Sequence, residues 1–179
     1  MTAAPLLRAV EARPFAWRAA AIVGGAGLMA ASSYAELPLP GGVPLTLQTL
    51  ALFVLAGVAG GRLALLAVLL WLAVAAAGLP VLAGGAHGLS AVLGHTAGFL
   101  AGMTAAAWIC GRGAERTHGA LPLLALFLAG HLIVLAVGWA GLASFMDPGP
   151  AFEFGVQPFI LGAAIKSVVA AVIVWAAAR

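Results

Sequence analysis

The sequence predicts an all-α fold, a six-helix transmembrane bundle with both termini cytoplasmic. Three observations predict it: scarce charge, successive apolar segments of spanning length, and arginines confined to alternate connections. Of 179 residues, 64% are hydrophobic and 7% are charged. A soluble domain carries about 25% charged residues. A chain with so few charges cannot coat a water-facing surface, so the bilayer is its solvent. The formal charge of +3 therefore implies no nucleic-acid partner, and membrane lipid is the expected surroundings. The length suits one domain: a cytoplasmic or interfacial segment over 1–14, then a six-helix membrane domain over 15–179.

A span takes about 20 apolar residues, within roughly 17–25. Such segments are expected at 15–33, 45–60, 62–78, 89–110, 120–141 and 156–178. The first has an arginine-bearing head and small residues near Ala30, Ala31 and Ser32, as a cleaved signal would. More hydrophobic segments follow it, so a retained helix is expected. It also carries Ala16, Ala20 and Gly24 four residues apart, with a second row at Ala21 and Gly25. Such rows let helices approach closely, either inside the bundle or against a partner subunit. The second and third segments are short and separated only by Gly60, Gly61 and Arg62. That spacing predicts a tight helical hairpin, with one bent or re-entrant segment as the alternative. The fourth holds Cys110, the lone cysteine, which packs or faces lipid and can form no disulfide within the chain. The fifth holds His131 and the sixth holds Lys166.

The connections fall into two kinds. Residues 34–44 contain Pro38, Pro40, Gly41, Gly42 and Pro44. Residues 79–88 contain Pro80, Gly84, Gly85 and Gly88. Residues 142–155 contain Asp147, Pro148, Gly149, Pro150 and Glu153. These three are read as loops, and none has a Lys or Arg. Arg8, Arg13, Arg18, Arg62, Arg112, Arg116 and Arg179 all fall on the other face of a six-span bundle. The positive-inside rule makes that face cytoplasmic and turns the Pro/Gly loops outward.

Lys166 is the exception among the basic residues. Counted along a continuous helix from Val156, it lies about 15 Å deep. A lysine near the midplane costs at least about 2.5–3.5 kcal/mol. No acidic residue sits inside an expected span to pair with it; Glu36, Asp147 and Glu153 all belong to the outer loops. A ligand that accepts hydrogen bonds from the amine is the functional reading. Snorkelling or a loop carboxylate is the structural one. Polar residues gather toward the same side: Thr46, Gln48 and Thr49 open the second helix, and Ser90, His95 and Thr96 open the fourth. On a helix, Thr46 and Thr49 share a face while Gln48 points elsewhere.

The histidines do not make a metal site. His87 and His95 are eight apart, His118 is expected in the cytoplasm, and His131 stands alone, where a bond to a neighbouring helix is expected. No nucleophile, base and acid form a catalytic set, so neither an enzyme nor a cofactor is expected. No phosphate-cradling Gly-x-x-x-x-Gly-Lys-Ser/Thr run exists. No intramembrane carboxylate offers itself to a coupling ion. If the chain transports, another subunit supplies the energy.

Several stretches, in order and spacing from about residue 36 onward, resemble the BioY family of biotin-specific S components of energy-coupling factor transporters. They are Gly42-Val43-Pro44-Leu45-Thr46-Leu47-Gln48-Thr49-Leu50, Gly78-Leu79-Pro80-Val81-Leu82-Ala83-Gly84-Gly85, Leu93-Gly94-His95-Thr96-Ala97-Gly98-Phe99-Leu100-Ala101-Gly102 and Gly162-Ala163-Ala164-Ile165-Lys166. The resemblance implies a bacterial cytoplasmic-membrane protein that captures biotin from outside. It also implies a transmembrane coupling subunit and two cytoplasmic ATPases as partners. Lys166 corresponds to the family lysine at the vitamin. Thr46, Gln48, Gly84, Gly85, Thr96 and Phe99 fall in the motifs that surround the family pocket. The first outer loop is expected to close over the ligand. The chain departs from the pattern at Ala163, where the family usually has an aspartate. It departs also at His95, Ala97 and Phe99, where Pro, Gly and Tyr are common. The missing aspartate leaves Gln48, Glu153 or Glu36 to accept from the ureido N–H groups, or else the ligand is altered or held more weakly. Competing readings are an S component for another vitamin, a small membrane enzyme using His95 or His131, and a purely structural subunit.

Overall fold

Helix α1 spans Phe15–Ser33, where the first span is expected. A computed structural model describes residues 14–40, 42–117 and 119–179. The expectations for Arg8, Arg13, Gly41, His118 and nearly all of segment 1–14 fall outside the described residues. After α1 the chain forms a two-residue strand β1 (Glu36–Leu37), antiparallel to β2 (Leu45–Thr46), with Glu36 opposite Thr46. This small hairpin corrects the purely helical expectation. Its cause is the Pro/Gly loop, which turns the chain back on itself within eight residues.

Helices α2 (Gln48–Ala59) and α3 (Gly61–Ala76) follow, broken only at Gly60, whose φ is +82°. A residue with a side chain adopts that backbone poorly. The reversal is anchored elsewhere: the Gly61 N–H donates to Glu115 Oε1 at 3.0 Å, and Arg112 pairs with Glu115 at 2.8 Å. The second outer connection forms a 3₁₀ turn at Ala83–Gly85 and leads to the single-turn helix α4 (Leu89–Val92). Helix α5 begins only at Ala97 and runs to Ala114. The expected continuous helix over 89–110 is therefore interrupted at 93–96. Two short turns close there, Ala97 N–H to the Gly94 carbonyl at 2.9 Å and Phe99 N–H to the Thr96 carbonyl at 3.0 Å.

Helix α6 (Ala120–Leu142) runs for 23 residues. The third outer connection, expected as a loop, contains helix α7 (Pro148–Gly155). Pro148 starts it because the first helical position needs no N–H donor and the ring presets φ. A 3₁₀ turn at Gln157–Phe159 then leads to α8 (Ile160–Ala177). Lys166 thus lies only about 9 Å along its helix at 1.5 Å per residue, not 15 Å along an unbroken one.

Three helical stretches are long and apolar enough to cross a bilayer: Phe15–Ser33, Ala120–Leu142 and Pro148–Ala177. Helices α2 and α3 are apolar but shorter. Close approach holds the bundle together. Gly98 and Gly102 of α5 abut the backbone of α6 at Val137 and Val134, and Gly111 abuts Gly61. Phe53, Trp71 and Phe127 fill the centre, with Phe53 and Phe127 rings 5.3 Å apart. Cys110 is buried and free, as expected for a packing residue.

Along α2, α5 and α8 the arginines and the polar loops lie at opposite ends. Arg62 follows α2, Arg112 ends α5 and Arg179 ends α8. The starts of α2, α5 and α8 gather at the other end, around a cavity.

Candidate ligand-binding site

The cavity has a volume of about 420 Å³, within the roughly 300–1,000 Å³ typical of small-molecule sites. Its walls come from the β1–β2 hairpin, the start of α2, the second outer connection, the broken 89–97 stretch, and the first turns of α8. Irregular backbone inside a membrane protein is tolerated where it lines such a space.

Lys166 borders the cavity. Its Nζ donates to the Thr46 carbonyl at 2.5 Å and to Thr49 Oγ1 at 3.4 Å. Among the described residues no carboxylate forms an ion pair with it. The amine therefore borders the cavity without pairing with any acid among the described residues. An ammonium has three N–H donors, and two are used by these contacts.

Thr46, Gln48 and Thr49 all line the cavity. The helical-face reasoning that set Gln48 apart fails, because Thr46 lies in β2 and α2 starts only at Gln48. Thr46 Oγ1 donates to Gln48 Oε1 at 2.9 Å, and the Gln48 N–H donates back to Thr46 Oγ1 at 3.3 Å. Each residue thereby fixes the other's side chain. Gly84, Thr96 and Phe99 border the same space. Gly84 has φ +63°, and a Cβ there would come within 3.5 Å of Glu36 Oε1. Gly85 is not part of the wall; its carbonyl contacts His87 Nδ1 at 2.9 Å. Of the three acceptors considered in place of an aspartate at 163, Glu36 and Gln48 border the cavity. Glu153 is exposed on α7 and does not. Ala163 lines the wall with a methyl group.

The loops over the cavity are tied together. Ser33 Oγ donates to the Val81 carbonyl at 2.8 Å, and the Tyr34 hydroxyl donates to the Pro80 carbonyl. His95 Nε2 lies 3.0 Å from the Gly42 carbonyl. His131 is buried, with Nδ1 at 2.8 Å from Ser167 Oγ on α8, the inter-helix bond expected of it.

Hydropathy reasoning missed the apolar half of the wall, including Leu82, Leu100, Met103 and Phe159. The period of α5 carries a signal for part of it, since Thr96, Phe99, Leu100 and Met103 recur at helical spacing. Ala16, Ala20 and Gly24 lie exposed on the outer face of α1, and nothing approaches Gly24 within 4 Å. The second row packs inward: Gly25 meets Ala67 of α3 and Leu55 of α2.

A helical membrane bundle with a small-molecule chamber at one end, bordered by a lone lysine, belongs to the class of membrane proteins that bind small solutes. The sequence matches the model of the BioY family over residues 6–179, and the chain belongs to that family. A protein of Rhizobium etli named biotin transporter BioY is 37% identical over 164 residues, covering 86% of this chain and 86% of its own length. One of Rhodobacter capsulatus with the same name is 39% identical over 147 residues, covering 74% of this chain and 77% of that one. A probable biotin transporter BioY of Pyrococcus horikoshii is 34% identical over 133 residues, covering 74% and 79%. A crystal structure described as the S-component for biotin from an ECF-type ABC transporter shares the fold. Its TM-score is 0.80 at 23% identity, over 93% of this chain and 94% of that one.

Proposed function

We propose that the chain is the substrate-binding subunit for biotin uptake across the cytoplasmic membrane. It captures biotin in the cavity beside Lys166, makes and breaks no covalent bond, and relies on partner ATPases for energy. The observation that carries this reading is the 420 Å³ chamber with an amine on its wall that no carboxylate among the described residues pairs with, in a family whose relatives are named biotin transporters. Thr46, Gln48, Gly84, Thr96, Phe99 and Lys166 are the contacts we assign to the ligand. Gly85 acts through the turn that places Gly84.

Six spans put both termini in the cytoplasm and open the cavity outward. The arginines at the opposite end of the bundle support that orientation. The β1–β2 hairpin, tied to the second connection through Ser33 and Tyr34, covers the chamber. The exposed small residues Ala16, Ala20 and Gly24 form the face that meets a transmembrane coupling subunit, itself joined to two ATPases.

Calorimetric titration of the purified, detergent-solubilised protein with biotin tests the reading. Saturable binding near one biotin per chain is expected. A folded protein that gives no heat with biotin refutes it.

A further inference from the structure

We infer that His131 is a further specificity residue of the cavity, whose Nε2 accepts a hydrogen bond from an N–H group of the bound ligand. This deepens the biotin-binding reading and rests on it.

His131 lies in the middle of α6, 4% exposed, with its side chain on the cavity wall. Its Nδ1 sits 3.2 Å from the Phe127 carbonyl and 2.8 Å from Ser167 Oγ. A carbonyl oxygen only accepts, so Nδ1 carries the ring proton and shares it between these two oxygens. Nε2 is then the bare acceptor. The ring is also held by Phe53, at 4.6 Å between centroids. The imidazole is thus fixed in tautomer and orientation from two sides.

Nε2 has no hydrogen-bond partner, and among the described residues it is the buried side-chain polar atom left in that condition. Buried polar atoms are nearly always satisfied, so an exception calls for an explanation. The wall residues beside it in the sequence, Val134 and Leu135, offer no donor, nor does Ala163, one turn before Ser167 on α8. Lys166 has a third N–H, but no bond joins it to this nitrogen. The donor we assign is an N–H of the cavity's occupant, which reaches the buried Nε2 once the side chains around it give way.

A cyclic urea fits these wall groups. It presents a carbonyl oxygen flanked by two N–H groups. Lys166 only donates. Gln48 Oε1 already accepts from Thr46. His131 Nε2 is an acceptor the protein leaves unused, and an N–H of the urea can fill it. A ligand of similar size without that N–H would leave the buried nitrogen unsatisfied, and that difference is the source of specificity.

The test compares biotin with its two analogues singly methylated at the ureido nitrogens. Calorimetry is run on the wild type, His131→Leu and His131→Gln. His131→Leu is expected to weaken biotin about tenfold, the effect of one hydrogen bond. His131→Gln, which keeps an acceptor, recovers part of that loss. For one methylated analogue the loss on His131→Leu disappears, because the N–H is already gone. Equal losses for biotin and both analogues overturn the inference. If the variants fail to fold, the wild type still decides it. The ¹⁵N signal of His131 Nε2 should move upfield when biotin is added, and a signal that stays in place, as a resident water would leave it, overturns the inference. A wild type that binds no biotin removes the proposed function instead.

Discussion

Lys166 has three N–H donors, and its own chain engages two of them, at the Thr46 carbonyl and Thr49 Oγ1. One is left for a guest, and among the described residues no carboxylate pairs with the amine's charge. Hydrogen bonds to charged groups contribute about 1.5–3 kcal/mol. Lys166→Ala is therefore expected to weaken biotin by that amount in calorimetry; unchanged affinity in a folded variant removes Lys166 from the site. Gln48 holds Thr46 and makes neutral contacts only, so Gln48→Ala is expected to cost about 0.5–1.5 kcal/mol. Full retention of biotin by the Gln48/Lys166 double variant would end the pocket assignment. The lysine was legible in the sequence because a lone cation in an apolar run carries a cost that something must offset. The joint role of Thr46 and Gln48 was not. Their pairing depends on a strand ending at Thr46, and nothing in the residue pattern distinguishes that from one more helical turn.

At the scale of elements, glycine positions decide which helices touch. A Cβ on Gly102 would come within 2.9 Å of Val134 Cα and 3.1 Å of its carbonyl oxygen. Backbone cannot swing aside as a flexible side chain can, so α5 and α6 must separate. Gly102→Ala is expected to destabilise by about 1–3 kcal/mol, read as a lower midpoint of thermal unfolding in detergent. Gly27 of α1 has nothing within 4 Å. Gly27→Ala there is expected to be neutral, or stabilising by up to about 1 kcal/mol from helix propensity. Two equal shifts would mean that close packing does not distinguish the sites. The positions of α1, α3 and α6 were readable from the lengths of their apolar runs. The break at 93–96 was not, because Leu93 and Ala97 keep the run apolar while the backbone turns away at Gly94. Helix α7 was hidden for the opposite reason: Pro148, Gly149 and Pro150 read as loop residues, yet proline suits a first helical turn.

Across the whole molecule, the chamber proposed to bind biotin and the face proposed to meet the coupling subunit lie on different surfaces. The cavity is enclosed by the ends of α2, α5 and α8, whereas Ala16, Ala20 and Gly24 lie exposed on α1. Leucines at these three positions add bulk where nothing packs around Gly24, so the chamber should be left intact. The Ala16→Leu, Ala20→Leu, Gly24→Leu variant is expected to keep wild-type affinity for biotin in calorimetry. Its biotin uptake, in cells that also make the coupling subunit and ATPases, should fall at least tenfold, because a close helix–helix approach needs small residues. Wild-type uptake would exclude α1 as the docking face. Lost binding would show instead that the row supports the bundle. The orientation can be checked in the same cells. Gly149→Cys in a Cys110→Ala background should react with a membrane-impermeant maleimide added outside. Labelling only after the membrane is permeabilised would reverse the topology, and would place the cavity's opening on the cytoplasmic side, where capture from outside is impossible.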